Sequence, residues 1–245
     1  MSRYNRGRFS GFGFGGGWTP AVKTLVIACT IGFLLQIFEQ LAGGRSITSE
    51  FGLTPAMVTQ HFYLWQLVTY IFLHGGFFHI LFNMFGLYMF GSELEQVWGT
   101  KQFTKYFFLC GIGGGLLTVL MGPADFVTTI GASGAIFGLL VAYGLLFPDR
   151  PIYIYMIIPV AAKWVVIFYG AISFFSSLSS GGGIAYRAHL GGMLFGFLYL
   201  KGGRIFPDLK SRYDRWQRAR LRRKFEVYYN ERHREDDERP RRWKN

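Results

Sequence analysis

The chain has 245 residues, of which 51% are hydrophobic, 19% aromatic and 16% charged, against about 25% charged in an average soluble domain. Its mean hydropathy is +0.24 although both ends are strongly polar, so the middle is far more apolar than the mean. This composition excludes a disordered chain and a coiled coil and argues against a soluble enzyme; what remains is a polytopic membrane protein with polar tails.

Residues 1–20 carry Arg3, Arg6 and Arg8 and no acid, and their run from Gly11 to Gly17 is a low-complexity Gly/Phe segment that reads as disordered. No cleavable signal peptide is evident, because the first apolar run ends in Phe38-Glu39-Gln40 without a small-residue cleavage site. Six apolar runs follow, at about 21–42, 67–91, 103–121, 128–147, 152–178 and 184–200. Each is near the ~20 residues a helix needs to cross ~30 Å of hydrocarbon. The expected fold is therefore an all-α membrane domain over 21–203 with six transmembrane helices. A short segment, 1–20, precedes it and a basic tail, 204–245, follows.

Nearly all of the net charge of +12 lies outside the apolar block. Residues 21–200 hold seven basic and six acidic side chains, whereas 201–245 hold sixteen basic and eight acidic. An even number of spans puts both tails on one side, and their positive charge makes that side the cytoplasm. The tail, with Arg218, Arg220, Arg222, Arg223 and Lys224, reads as a solvated surface helix or one drawn to anionic lipid; no nucleic-acid partner is expected. Residues 43–66 are aromatic and semi-polar and read as structure lying in the membrane interface. Cys29 and Cys110 lie inside apolar runs and read as small buried hydrophobes.

The informative residues are polar ones placed where hydrocarbon should be, since an ionisable group there is costly. The second run contains His74, His79 and Asn83; His79 and Asn83 are four apart and share a helix face. The fourth opens on Gly131-Ala132-Ser133-Gly134, and the sixth contains His189. The glycines clear side chains from around Ser133, and a helix start offers unpaired N–H groups to an oxyanion. Gly134 and Gly138 are four apart, as are Gly192 and Gly196, a spacing that packs two transmembrane helices backbone to backbone. Such packing brings Ser133 beside His189, a pair able to perform nucleophilic and general-base chemistry. No carboxylate accompanies them, so a dyad is expected, with His79 and Asn83 available as oxyanion donors.

Three motifs in order, His-x4-His-x3-Asn at 74–83, Gly-x-Ser-Gly at 131–134 and Ala-His-x2-Gly-x3-Gly at 188–196, resemble those of the rhomboid intramembrane serine proteases. The resemblance covers about residues 60–200. It implies a six-helix rhomboid-like bundle, with Ser133 as nucleophile and His189 as general base. The Ser133 N–H, His79 and Asn83 would form the oxyanion hole. His74 would organise a loop, and Glu95 and Gly99 would tie loop to helix ends. Two positions depart from the family pattern without removing a catalytic group. Trp65 is followed by Gln66 where many rhomboids have Arg, and Phe137 stands where many have a Tyr stacked on the histidine.

The resemblance further implies transmembrane protein substrates in a lipid bilayer, and a gate formed by the fifth helix and the loop Ser176–Gly183. The serine would lie near the outer face, most simply of a bacterial plasma membrane. No cofactor or metal is expected. Two rival readings are a client-binding protein that has the fold without the activity, and a histidine metal or transport site; the first is marked by loss of Ser or His, and neither is lost here.

Overall fold

The computed structural model describes residues 17–44, 46–154, 157–178 and 184–202, together with tail positions 211, 214–216, 218, 219 and 222. Most of the expected N-terminal segment, most of the tail and loop residues 179–183 lie outside the described residues. The described chain is mostly helical.

Helix α1 (Pro20–Leu41) starts on a proline, whose missing N–H is no loss in a first turn. It buries Ala21, Val22, Leu25 and Cys29 and exposes Ile27, Ile31, Leu34, Leu35 and Phe38. Its first-turn N–H groups of Ala21 and Val22 donate to the Glu95 carboxylate at 2.9 and 3.0 Å. The chain turns at Gly43, at φ +81°, into the short helices α2 (Ser46–Phe51), α3 (Pro55–His61) and α4 (Gln66–Thr69). These fill the segment 43–66, and a 3-10 turn, Tyr70–Phe72, extends α4.

The second apolar run is not one straight span. Gln66–Phe72 and Phe77–Trp98 meet at a bend of 98°. The break falls at Leu73–Gly76, where Gly75 and Gly76 lack side chains and weaken a helix. Beyond it α5 (Phe77–Gly86), a π-turn (Leu87–Gly91) and α6 (Ser92–Trp98) run on as one rod. Gly99, at φ +82°, ends that rod and opens α7 (Thr100–Met121).

An extended loop leads to α8 (Ser133–Leu146). The fifth run also differs from expectation: its first residues form a hairpin, β1 (Pro151–Ile154) against β2 (Ile158–Ala161), with Tyr153 facing Pro159. Two prolines and a run of Ile, Val and Tyr favour an extended chain over a helix there. Only Ala162–Ser177 is helical, as α9. The last helix is α10 (Ile184–Lys201).

Among the described residues two helices, α1 and α7, are long and apolar enough to cross a membrane, and a third if the bent pair counts as one span; α8 and α9 are shorter apolar helices. The centre of the bundle is the packing of α10 on α7 and α8. Glycines permit it: a Cβ on Gly192 would overlap the Gly134 carbonyl, and one on Gly114 would fall 2.6 Å from the Ala188 oxygen. A Cβ on Gly138 would overlap Cys110, and one on Gly196 would fall 2.5 Å from the Tyr106 hydroxyl. Cys110 is thereby a buried filler at a three-helix crossing.

Candidate active site

Ser133 is the first residue of α8, and the loop before it is held by backbone pairing. Leu53 and Thr129 exchange both hydrogen bonds, at 2.9 and 2.8 Å, and the Gly131 N–H donates to the Tyr70 carbonyl at 2.9 Å. Gly131 takes φ +123°, which L side chains rarely adopt, and a Cβ there would lie 2.7 Å from His79 Nε2. The small residue therefore admits the tip of the His79 ring beside the start of α8.

His189 sits in the second turn of α10, and its Nε2 lies 2.8 Å from Ser133 Oγ. The imidazole lies flat on Phe137, with ring centroids 4.2 Å apart and planes within 5°. Tyr186 meets it edge-on at 5.8 Å, and Tyr169 of α9 meets Phe137 edge-on at 5.7 Å. Among the described residues His189 Nδ1 is buried without a hydrogen-bond partner, so no carboxylate completes a triad. Ser133 and His189 are both half-buried, within reach of solvent.

The Gly75 N–H donates to His79 Nδ1 at 3.1 Å. A ring nitrogen that accepts carries no proton, so the neutral His79 holds its hydrogen on Nε2, the atom beside Gly131. Asn83 is buried, and its Nδ2 donates to the His79 carbonyl at 2.9 Å; the same nitrogen carries a second hydrogen. His74 is buried, with its backbone N–H on Gln36 Oε1 at 2.9 Å and its ring edge-on to His79 at 5.2 Å. It touches the site through His79.

Glu95 and Gly99 belong to the other end of the rod. Twelve residues of helix separate Glu95 from Asn83, about 18 Å. Besides capping α1, Glu95 accepts from Thr100 Oγ1 at 2.7 Å. Gln66 is fully buried in the 43–66 segment. It accepts from the Thr54 N–H at 3.0 Å and donates to the Ser49 and Glu50 carbonyls at 3.3 and 3.2 Å. One amide thus supplies both an acceptor and a donor.

Two partly buried ion pairs are not legible in the sequence. Arg187, two residues before His189, donates to Asp125 Oδ2 at 2.6 Å. Arg150 pairs with Glu93, and the Tyr143 hydroxyl lies 3.3 Å from Glu93 Oε2. Their partners are 62 and 57 residues apart, so no local spacing reveals them. Among the described residues no group of three or more His, Cys, Asp or Glu could hold a metal ion.

Residues 61–203, more than half of the chain, match the family model of the Rhomboid domain. The chain belongs to the rhomboid family. The match contains all three polar motifs. This rhomboid is similar to RHOMBOID-like protein 1 of Arabidopsis thaliana, at 37% identity over 161 residues, 64% of this chain and 40% of that protein. It is similar to Rhomboid protein 1, mitochondrial, of Saccharomyces cerevisiae, at 30% identity over 139 residues, 52% of this chain and 38% of the relative. It is also similar to Rhomboid protease GluP of Bacillus subtilis, at 29% identity over 184 residues, 73% of this chain and 34% of the relative. The rhomboid chain thus spans less than half the length of these curated relatives. Membership and the apolar helices make it an integral membrane protein. Plant and mitochondrial relatives show that membership does not single out the expected bacterial plasma membrane.

Proposed function

We propose that this rhomboid is an intramembrane serine endopeptidase that cleaves transmembrane segments of other membrane proteins. The observation that carries the reading is the 2.8 Å contact between Ser133 Oγ and His189 Nε2 at a helix start. His189 takes the hydroxyl proton as Oγ attacks a peptide carbonyl, then gives it to the leaving amine. Water, deprotonated by the same imidazole, releases the acyl group. The oxyanion is held by the Ser133 N–H, His79 Nε2–H and the second Asn83 Nδ2–H.

In this reading six segments cross the bilayer: α1, the α5–α6 rod, α7, α8, α9 and α10. Basic residues at both ends put both termini on the cytoplasmic side. Ser133 and His189 then fall near the outer ends of their helices, where water can reach them. A substrate helix must unwind to expose a peptide bond, so cleavage falls at small or helix-breaking residues. Lateral access past α9 is supported by its shallow embedding: it buries Ala162, Val165, Ser173 and Ser177 and exposes Trp164, Ile167, Phe168, Phe174 and Phe175.

The test is cleavage of a reporter transmembrane substrate by purified protein, wild type beside Ser133→Ala. Cleavage lost in the variant supports the reading. Cleavage that persists in Ser133→Ala, or a folded wild type inert on a panel of such substrates, contradicts it and favours the client-binding alternative.

A further inference from the structure

The dyad is assembled from two helices that have no covalent neighbour in common, so its 2.8 Å contact depends on how α10 is registered against α8. Below the site the register is set by glycine contacts, Gly192 on Gly134 and Gly196 beside Gly138. Above it lies the first turn of α10, which begins at Ile184. What meets that turn from outside is an ion pair. Arg187 Nη1 donates to Asp125 Oδ2 at 2.6 Å, with the Arg187 side chain 16% exposed and that of Asp125 38%.

Asp125 is itself anchored. Its carbonyl accepts the Ala56 N–H at 3.0 Å, and the neighbouring Pro123 carbonyl accepts from Thr59 Oγ1 at 2.7 Å. Both donors lie on α3, so the loop is fastened to the 43–66 segment before it reaches Ser133. The carboxylate therefore offers α10 a fixed point on the same loop that presents the nucleophile. Gly122 makes room for the pair, since a Cβ there would overlap Asp125 and fall 2.5 Å from Arg187 Nη1.

We propose that Arg187 is a positioning residue, whose ion pair with Asp125 holds the first turn of α10, and with it the His189 imidazole, in register with Ser133. The inference rests on the protease reading above. The Arg187 guanidinium pairs with Asp125 rather than with Ser133 or His189, so it acts by registering one helix against one loop. A displacement of about 1 Å at a reacting pair can cost as much as 100-fold in rate.

The experiment uses the full chain in detergent. It measures the second-order rate of labelling by a fluorophosphonate, the kcat and KM for a reporter transmembrane substrate, and the melting temperature. Arg187→Ala and Asp125→Ala are expected to lower both the labelling rate and kcat by roughly 10- to 100-fold. KM should stay within about twofold and melting close to wild type. The charge-exchanged double variant Arg187→Asp/Asp125→Arg recovers most of the loss, and Arg187→Lys retains most of the rate. A purely structural role would lower the melting temperature and the active fraction without slowing labelling of the folded fraction, and that result overturns the inference. Labelling at the wild-type rate in the single variants overturns it alone and leaves the protease reading standing. A folded wild type that neither labels nor cleaves overturns both.

Discussion

Gly192 of α10 lies directly against the Gly134 carbonyl of α8, so closely that a Cβ there would overlap it. That contact is one residue along α8 from Ser133 and three along α10 from His189, so it sets the separation of the dyad. Gly192→Ala is expected to push the two helices apart. Overpacking typically costs about 1–3 kcal/mol, here with backbone as the obstacle. Melting in detergent should fall by several degrees and activity should drop more than the folded fraction does. Gly134→Ala should be milder, because its Cβ would meet the Ala188 oxygen at 3.0 Å and the Tyr70 hydroxyl at 3.3 Å.

The proposed oxyanion donors separate from binding in a kinetic measurement. Removing one donor costs about 10²–10³ in kcat. Asn83→Ala and His79→Ala should each show such a loss on the reporter substrate with KM little changed. His79→Ala should also release the Gly75 N–H that its Nδ1 accepts, so its melting temperature should fall as well.

Phe137 holds the imidazole by stacking alone. Such an aromatic contact contributes about 1 kcal/mol beyond its buried area. Phe137→Leu should slow fluorophosphonate labelling several-fold at an unchanged fold, and Phe137→Tyr should label at close to the wild-type rate because the ring face is retained.

Glu95 acts far from the chemistry. Its carboxylate accepts two first-turn N–H groups of α1 and the Thr100 hydroxyl. Hydrogen bonds to a charged group contribute about 1.5–3 kcal/mol. Glu95→Gln should therefore lower the unfolding free energy by about 2 kcal/mol, while kcat per folded molecule stays at the wild-type value. A fall in kcat at unchanged stability would place Glu95 in the catalytic machinery instead.

Much of this architecture was readable from local chemistry. The glycine spacing at 134/138 and 192/196 points to a close helix pair, and the structure packs those glycines against one another beside the contact between Ser133 and His189. Helix boundaries were less legible. The run 67–91 is continuously apolar, so hydropathy does not register the bend at Gly75-Gly76. The run 152–178 hides a hairpin because Ile, Val and Tyr are as apolar in a strand as in a helix. The ion pairs Arg187–Asp125 and Arg150–Glu93 were invisible for a different reason. A charge in a membrane domain signals that a partner exists, but which one it finds is decided by the tertiary fold.

The proposed reaction requires His189 to activate Ser133. The most direct measurement is fluorophosphonate labelling of the purified full chain followed by peptide mass mapping, with Ser133→Ala and His189→Ala alongside. One adduct is expected, on Ser133, absent from Ser133→Ala and slowed at least 100-fold in His189→Ala, a loss in the range for removing a general base. An adduct on another residue, or labelling of Ser133 that proceeds as fast without His189, would contradict it.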